Sequence, residues 1–219
     1  MSVLKSAFSV LFLLWSPLTL ASSHADEEYD NLPNTPIEGN QARAIRAVKK
    51  HLVRVPWDGS VLLVIDMQPD FQAAQLKRVQ KNIKREIQKA MELQQLIIYA
   101  EYLKGGPTFR YLTDLTDGYT RKLVLIKEED SAHKALQTMK EELDLQKFSN
   151  IRVCGVNTDA CVYRTVRDLC AENILTEGVT LVEKACNGKK EGDHNIGLLL
   201  LQQDIALNRI RGLEFEFEI

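Results

Sequence analysis

Cys161 stands in the stretch Ile151–Asp168, IRVCGVNTDACVYRTVRD, where an apolar strand gives way to a helix. Asn157, Thr158 and Asp159 fill the turn between them, and all three residue types cap helices or tolerate tight turns. The thiol therefore falls in the first turn of a helix that runs to about Glu172. A thiol there lies at the positive end of the helix dipole, which lowers its pKa. The backbone N–H groups of Ala160 and Cys161 are at hand to hold a developing oxyanion. Two other groups have the chemistry such a thiol needs: Asp66 closes the run SVLLVID, and Lys127 follows LVLI. A carboxylate beside a thiol can take its proton, and an ammonium between them stabilises both anions. The thiolate attacks an electrophilic carbon, and the carboxylic acid returns the proton to the leaving group.

The chain must supply elements that bring these groups together. Ser60–Asp66, Leu96–Ala100 (LIIYA), Leu123–Ile126, Ile151–Val156 and Val179–Val182 are short apolar runs, and each is predicted to form a buried strand. Ile205–Leu207 is a candidate sixth strand, and the alternating tail Leu213–Ile219 a candidate edge strand or dimer contact. Helical spacing predicts helices over Gln41–Val53, Val79–Gln94, Ser131–Leu143 (Ser131 capping) and Glu191–Gln203, with a short helix and loop over Phe109–Gly118. Strands and helices alternating at these intervals mean βαβ units with right-handed crossovers. The predicted fold is α/β, a three-layer α/β/α sandwich around a mostly parallel, Rossmann-like sheet of about six strands. Ligands bind beyond the carboxyl ends of such strands, where Asp66, Lys127 and Cys161 fall.

At 219 residues, with 45% hydrophobic residues, the chain suits one domain of ordinary size plus any processed segment. A net charge of −2 gives no general attraction for nucleic acid or anionic membrane. Residues 1–25 carry Lys5, an apolar run from Ala7 to Trp15 and then Ser23-His24-Ala25, the pattern of a secretory signal peptide. The other reading of this segment is an uncleaved anchor. Residues 26–59 form a leader and short helix: Asp26 to about Asn40 is polar, acidic and broken by two prolines. Residues 60–219 form the main domain. The mature protein is expected to be exported, periplasmic or secreted, with no membrane span after processing. An oxidising compartment permits disulfides. Cys154 is expected to be a buried inert thiol, whereas Cys170 and Cys186 could pair. No CxxC motif or zinc-like spacing occurs.

Three motifs in order make the chain resemble the isochorismatase-like cysteine hydrolases, a family that includes nicotinamidases and N-carbamoyl amide hydrolases. LLVIDMQPDF matches the family's acid at Asp66, LIKEEDSA its lysine at Lys127, and CGVNTDACVYRTVRDL its nucleophile at Cys161. The resemblance runs from about Val61 to Leu207. It implies a six-stranded sheet, frequent homo-oligomers and a non-proline cis peptide near Val156–Asn157. It also implies that Asp66 is general base and acid, Lys127 the electrostatic partner and Cys161 the nucleophile. Nicotinamidases of the family carry a DxH motif and a further histidine for a divalent metal after the second strand. The corresponding stretch, YAEYLKGGPTF, has Glu101 but no histidine. The chain thus resembles metal-free members, and no cofactor is expected. Where many relatives have an aromatic residue, His133 either alters the pocket wall or faces solvent.

Phe71, Glu101, Tyr102, Phe109, Thr158 and Tyr163 are pocket-wall candidates, although core packing explains aromatic residues equally well. Thr158 supports the turn, Gln68 orders the loop after the first strand, and His194, in a polar loop, reads as a surface residue. The expected function is an exported cysteine hydrolase cleaving a small amide- or carbamoyl-type substrate through a covalent intermediate on Cys161. Two alternatives stay open. One is isochorismatase-type vinyl ether hydrolysis relying on the aspartate. The other is a catalytically idle fold used as a binding or interaction module.

Overall fold

Apolar runs of six or seven residues are too short for stable helices and become strands wherever turn residues bound them. The computed structural model describes residues 36–54, 58–143, 148–172, 175–190 and 192–217. All of these lie in one compact unit, Thr35–Ile219. The proposed signal peptide, residues 1–25, lies outside the described residues.

The strands are β1 (Ser60–Ile65), β2 (Leu96–Tyr102), β3 (Lys122–Lys127), β4 (Asn150–Val156), β5 (Val179–Asn187) and β6 (Leu213–Glu216). They form one sheet in the order β3-β2-β1-β4-β5-β6, and every pair is parallel. The helices are α1 (Pro36–Arg54), α2 (Lys77–Glu92), α3 (Arg110–Thr113), α4 (His133–Leu143), α5 (Tyr163–Glu172) and α6 (Asp193–Ala206). Helix α2 packs over β1, β2, β4 and β5, while α1, α4, α5 and α6 form a chain of neighbours. Strand order reverses between β1 and β4, so the two loops that carry Asp66 and Cys161 leave the sheet side by side.

Every residue of β1 from Val61 to Ile65 is buried, as a strand covered on both faces requires. Helix α2 turns Val79, Ile83, Ile87 and Ala90 inward at helical spacing. Glu86, buried on the same helix, is held by Arg152 of β4 at 2.6 Å, and the same guanidinium also reaches Glu216 of β6 at 2.5 Å. Gly155 of β4 has φ +124°, and a Cβ there would lie 2.1 Å from the Ile65 carbonyl oxygen, so only glycine fits this approach of β4 to β1.

Several boundaries differ from the sequence expectation. Helix α1 begins at Pro36 rather than Gln41, so the extended leader does not reach Asn40. Proline suits a first helical turn, where its missing N–H has no intrahelical partner to lose. Strand β5 continues past Val182 to Asn187, with Glu183 and Lys184 half-buried. Residues Ile205 and Ala206 extend α6 instead of forming a strand, and the sixth strand is the tail at Leu213–Glu216. Among the described residues no helix is long and apolar enough to cross a membrane.

Candidate active site

Asp66 follows β1 directly, with φ +52° and its N–H donating to the Ala100 carbonyl at 2.9 Å. Its side chain is fully buried, and Oδ1 has no donor in hydrogen-bonding geometry. Lys127 ends β3, two strands away, which at ordinary strand spacing is about 9–10 Å. A long side chain is needed to cross that gap. Lys127 passes over the Tyr102 ring, 5.1 Å from its centroid, and reaches Asp66 Oδ2 at 3.0 Å. The same ammonium donates to the carbonyls of Glu129 (3.2 Å) and Asp130 (3.1 Å). Its charge is thus paired and its donors satisfied, the condition for burying an ammonium.

Cys161 lies in a π-helical turn, Thr158–Val162, that precedes α5 rather than in the first turn of α5 itself. Val162 and Ala160 both donate their N–H groups to the Asn157 carbonyl at 3.0 Å. The Ala160 N–H is therefore committed within the turn, which removes it from the pair expected to hold an oxyanion and leaves the N–H of Cys161. Single π turns inside helices are rare and concentrate at functional sites. The peptide bond Val156–Asn157 is cis.

The thiol of Cys161 is buried and close enough to Asp66 for the two groups to perturb each other's proton affinity. Burial raises the Asp66 pKa, opposed by the charge of Lys127. Burial also pushes the Cys161 thiol far above the usual thiol range, helped by the negative charge of Asp66 and opposed by Lys127. This reverses the expectation of a thiol acidified by the helix dipole. Desolvation and a carboxylate neighbour outweigh the partial charge of a helix end. Burial likewise raises Cys170 and Cys186 to about 12. All four cysteines are free, so the pairing considered for Cys170 and Cys186 does not form.

Of the pocket candidates, Phe71 and Tyr102 come to the site. Their rings meet edge to face at 6.4 Å, beside the Lys127 ammonium. Gln68 orders the loops that hold them. Its amide donates to the carbonyls of Tyr102 (2.9 Å) and Gly106 and accepts from the Tyr102 N–H (2.8 Å). The others are engaged elsewhere. Glu101 accepts from the Thr108 N–H at 2.7 Å, and Phe109 stacks on Tyr111 at 5.3 Å. The Tyr163 hydroxyl donates to Asp204 of α6 at 2.9 Å. His133 is neither at the pocket nor in solvent: it is buried between α4 and α5 and faces Glu172 at 3.4 Å. A cleft of about 520 Å³ opens between the segment after β1 and the end of β5, lined by Gln72, Leu76, Asn187 and Lys190 among others. None of Asp66, Lys127 and Cys161 lines it.

Residues 60–207 match the family model described as Isochorismatase domain. The chain belongs to the isochorismatase family. No curated protein matches the sequence. Among solved structures, one similar in fold is a pyrazinamidase/nicotinamidase from Streptococcus mutans. It has a TM-score of 0.57 and 19% identity, over 72% of this chain and 99% of that one. An isochorismatase from Pseudomonas putida gives 0.52 and 21%, over 77% and 95%. YcaC from Pseudomonas aeruginosa, solved with covalent acrylamide, gives 0.56 and 13%, over 73% and 77%. The family membership supports a hydrolase, and these neighbours share its fold.

The divalent metal of the family's nicotinamidases does not fit this chain's residues. Glu101, the acid in the corresponding stretch, spends its carboxylate on the Thr108 N–H, and no histidine stands in residues 96–110. Among the described residues no group of three His, Cys, Asp or Glu side chains is arranged to hold a metal. Two site residues escaped the sequence reading. Asp130 places Oδ1 3.9 Å from the Cys161 sulfur and pairs through Oδ2 with Arg164. Asp130 sits in an acidic run, EED, that looks like a solvated loop. His194, expected at the surface, is largely buried against Thr158 and Glu183.

Proposed function

We propose that the protein is an exported cysteine hydrolase of small amide- or carbamoyl-type substrates, with Cys161 as nucleophile. The observation that carries this reading is the buried cluster in which the Cys161 thiol, the Asp66 carboxylate and the Lys127 ammonium lie together. The thiol proton passes to Asp66 as sulfur bonds to the substrate carbonyl carbon. The Cys161 N–H is offered to the resulting oxyanion. Collapse breaks the C–N bond, and Asp66 delivers the proton to the leaving nitrogen. Water then attacks the thioester, gives its proton to Asp66, and the thiol is restored with release of acid. The unpartnered Oδ1 of Asp66 is a fitting acceptor for these proton transfers. Phe71 and Tyr102 supply an apolar wall for a small planar substrate.

Export rests on the signal-peptide pattern of residues 1–25 and is tested by N-terminal sequencing of the protein from the medium or envelope. The hydrolase reading is tested with a panel of small amides and carbamoyl compounds, turnover being followed together with the mass of Cys161-containing peptides. The expected result is turnover and a transient acyl adduct on Cys161, both lost in Cys161→Ala with the fold retained. A second reading, protonation of a vinyl ether by Asp66, is favoured by the raised pKa of that carboxyl. Full activity of Cys161→Ala on a vinyl ether substrate would select it instead.

A further inference from the structure

A chain of polar side chains outside the Asp66–Lys127–Cys161 cluster ends on the turn that carries the nucleophile. Glu183 of β5 meets His194 Nε2 at 3.0 Å, and His194 Nδ1 meets the Thr158 hydroxyl at 2.9 Å. Thr158, the first residue of the π-helical turn, is fully buried. The direction of the chain follows from its ends. A carboxylate can only accept, so Nε2 carries the proton shared with Glu183. In the neutral imidazole Nδ1 is then an acceptor, and the Thr158 hydroxyl donates to it.

Helix α6 is pressed onto the same turn by backbone. One helical turn after His194, a Cβ on Gly197 would lie 2.3 Å from the Thr158 carbonyl oxygen and 2.8 Å from the Asp159 nitrogen. A Cβ on Gly188, at the end of β5, would lie 2.4 Å from the His194 nitrogen. Two glycines thus allow β5, α6 and the nucleophile turn to meet in backbone contact, and His194 is the side chain that bonds all three.

We propose that Glu183 and His194 form a positioning relay. Through the Thr158 hydroxyl it fixes the nucleophile turn and so sets the reactivity of Cys161. His194 and Thr158 touch no reacting atom, and their effect reaches the sulfur through the turn backbone. The proposal rests on Cys161 being the nucleophile, and it requires a directional hydrogen bond at Thr158 rather than mere filling of space.

The test uses the full chain and two readouts. The first is the rate of Cys161 carbamidomethylation by iodoacetamide at fixed pH, resolved by peptide mass. The second is hydrogen exchange of the Ala160 and Val162 amides. Thr158→Val keeps the side-chain shape and removes the hydroxyl, Thr158→Ser keeps the hydroxyl, and His194→Phe keeps a ring without nitrogen. Thr158→Val and His194→Phe are expected to slow labelling about tenfold, the factor one buried hydrogen bond of ordinary strength commands, and to speed exchange of both amides. Thr158→Ser is expected to stay within about twofold of the unsubstituted protein on both readouts. Unchanged labelling and exchange in Thr158→Val would overturn the relay, as would a Thr158→Ser variant as impaired as Thr158→Val. An inert Cys161 in the unsubstituted protein refutes the nucleophile instead, and the exchange rates then decide the relay alone.

Discussion

Replacing Lys127 with methionine keeps most of the volume of the side chain and removes the ammonium that faces Asp66 at 3.0 Å. At an effective dielectric of 20, two unit charges at that distance attract by about 5.5 kcal/mol. The variant escapes the cost of burying the lysine but leaves the Asp66 carboxylate alone, and breaking buried pairs in this way costs about 3–5 kcal/mol. Asp66 can avoid part of that loss by taking up a proton. Its pKa is already raised by burial, and Lys127 is the largest influence lowering it, so removal of the lysine raises it further. A carboxyl whose folded-state pKa is raised stabilises the fold fully below the unfolded-state pKa of about 4 and loses that contribution as pH climbs through the folded value. Between those limits the folded variant holds one proton more than the unfolded chain, and stability falls by about 1.4 kcal/mol per pH unit. Urea unfolding of both proteins from pH 4 to pH 8 should therefore show Lys127→Met losing stability over a wider span of pH. Adding Asp66→Asn should abolish the extra dependence. Equal pH slopes, with a loss below about 1 kcal/mol at pH 7, would show that the pair does not exist as a buried ion pair.

Gly155→Ala should cost at least ~4 kcal/mol or prevent folding, because the new Cβ would meet the Ile65 carbonyl at 2.1 Å between the two central strands. The urea midpoint decides it, and a loss under about 1 kcal/mol would contradict the packing of β4 on β1. Arg152→Met should cost ~3 kcal/mol by stranding the buried Glu86, while Glu216 keeps Lys89 at 3.5 Å, and Glu86→Leu in the same chain should recover part of it; additive losses in the double variant would argue against the ion pair. Asp66→Asn should lower the alkaline pKa of Cys161, since the Asp66 charge raises it, and yet slow reaction of the thiol with neutral acrylamide at pH 7 by at least ~100-fold. The two effects are read from one pH series of labelling rates, and a faster reaction at pH 7 would remove Asp66 as the base.

The three chemical groups were legible because each is marked by a local signal. Asp66 and Lys127 end short apolar runs, and Cys161 follows a turn of Asn, Thr and Asp. The central strands were legible for the same reason, since β1, β2 and β4 are built on short, mainly apolar runs bounded by turn residues, with Arg152 the one charge inside the run of β4. What depends on pairing over distance was not. The strand order sets Asp66 beside Cys161, but nothing in either segment names its neighbour. Strand β5 ran on through Glu183 and Lys184, whose polarity suggests a loop; they lie where the register with β4 shifts, and the pairing resumes at Cys186 and Asn187. His194 looked solvated among Glu191, Asp193 and Asn195, and its partners Thr158, 36 residues upstream, and Glu183 of β5 explain its burial. The thiol pKa was misjudged because sequence displays the helix end but not the depth of the pocket.

That depth also accounts for how a thiol with such high proton affinity can serve as a nucleophile. Losing the Cys161 proton to bulk water would leave Asp66, Lys127 and Cys161 with a net charge of −1 in a site closed to solvent, and burial opposes this strongly. Passing the proton to Asp66 instead leaves the charge of the cluster unchanged. Carboxylate, ammonium and thiol become carboxylic acid, ammonium and thiolate, neutral in sum before and after. Lys127 stands 3.0 Å from the acceptor and favours the charged form of both partners, so it supports the cluster on either side of the transfer. A raised thiol pKa thus measures the cost of a reaction the site does not use. The relevant quantity is the difference between two proton affinities raised by the same burial. Asp66 and Cys161 share one pocket and one counter-charge, so the two groups titrate as a coupled pair rather than as separate sites.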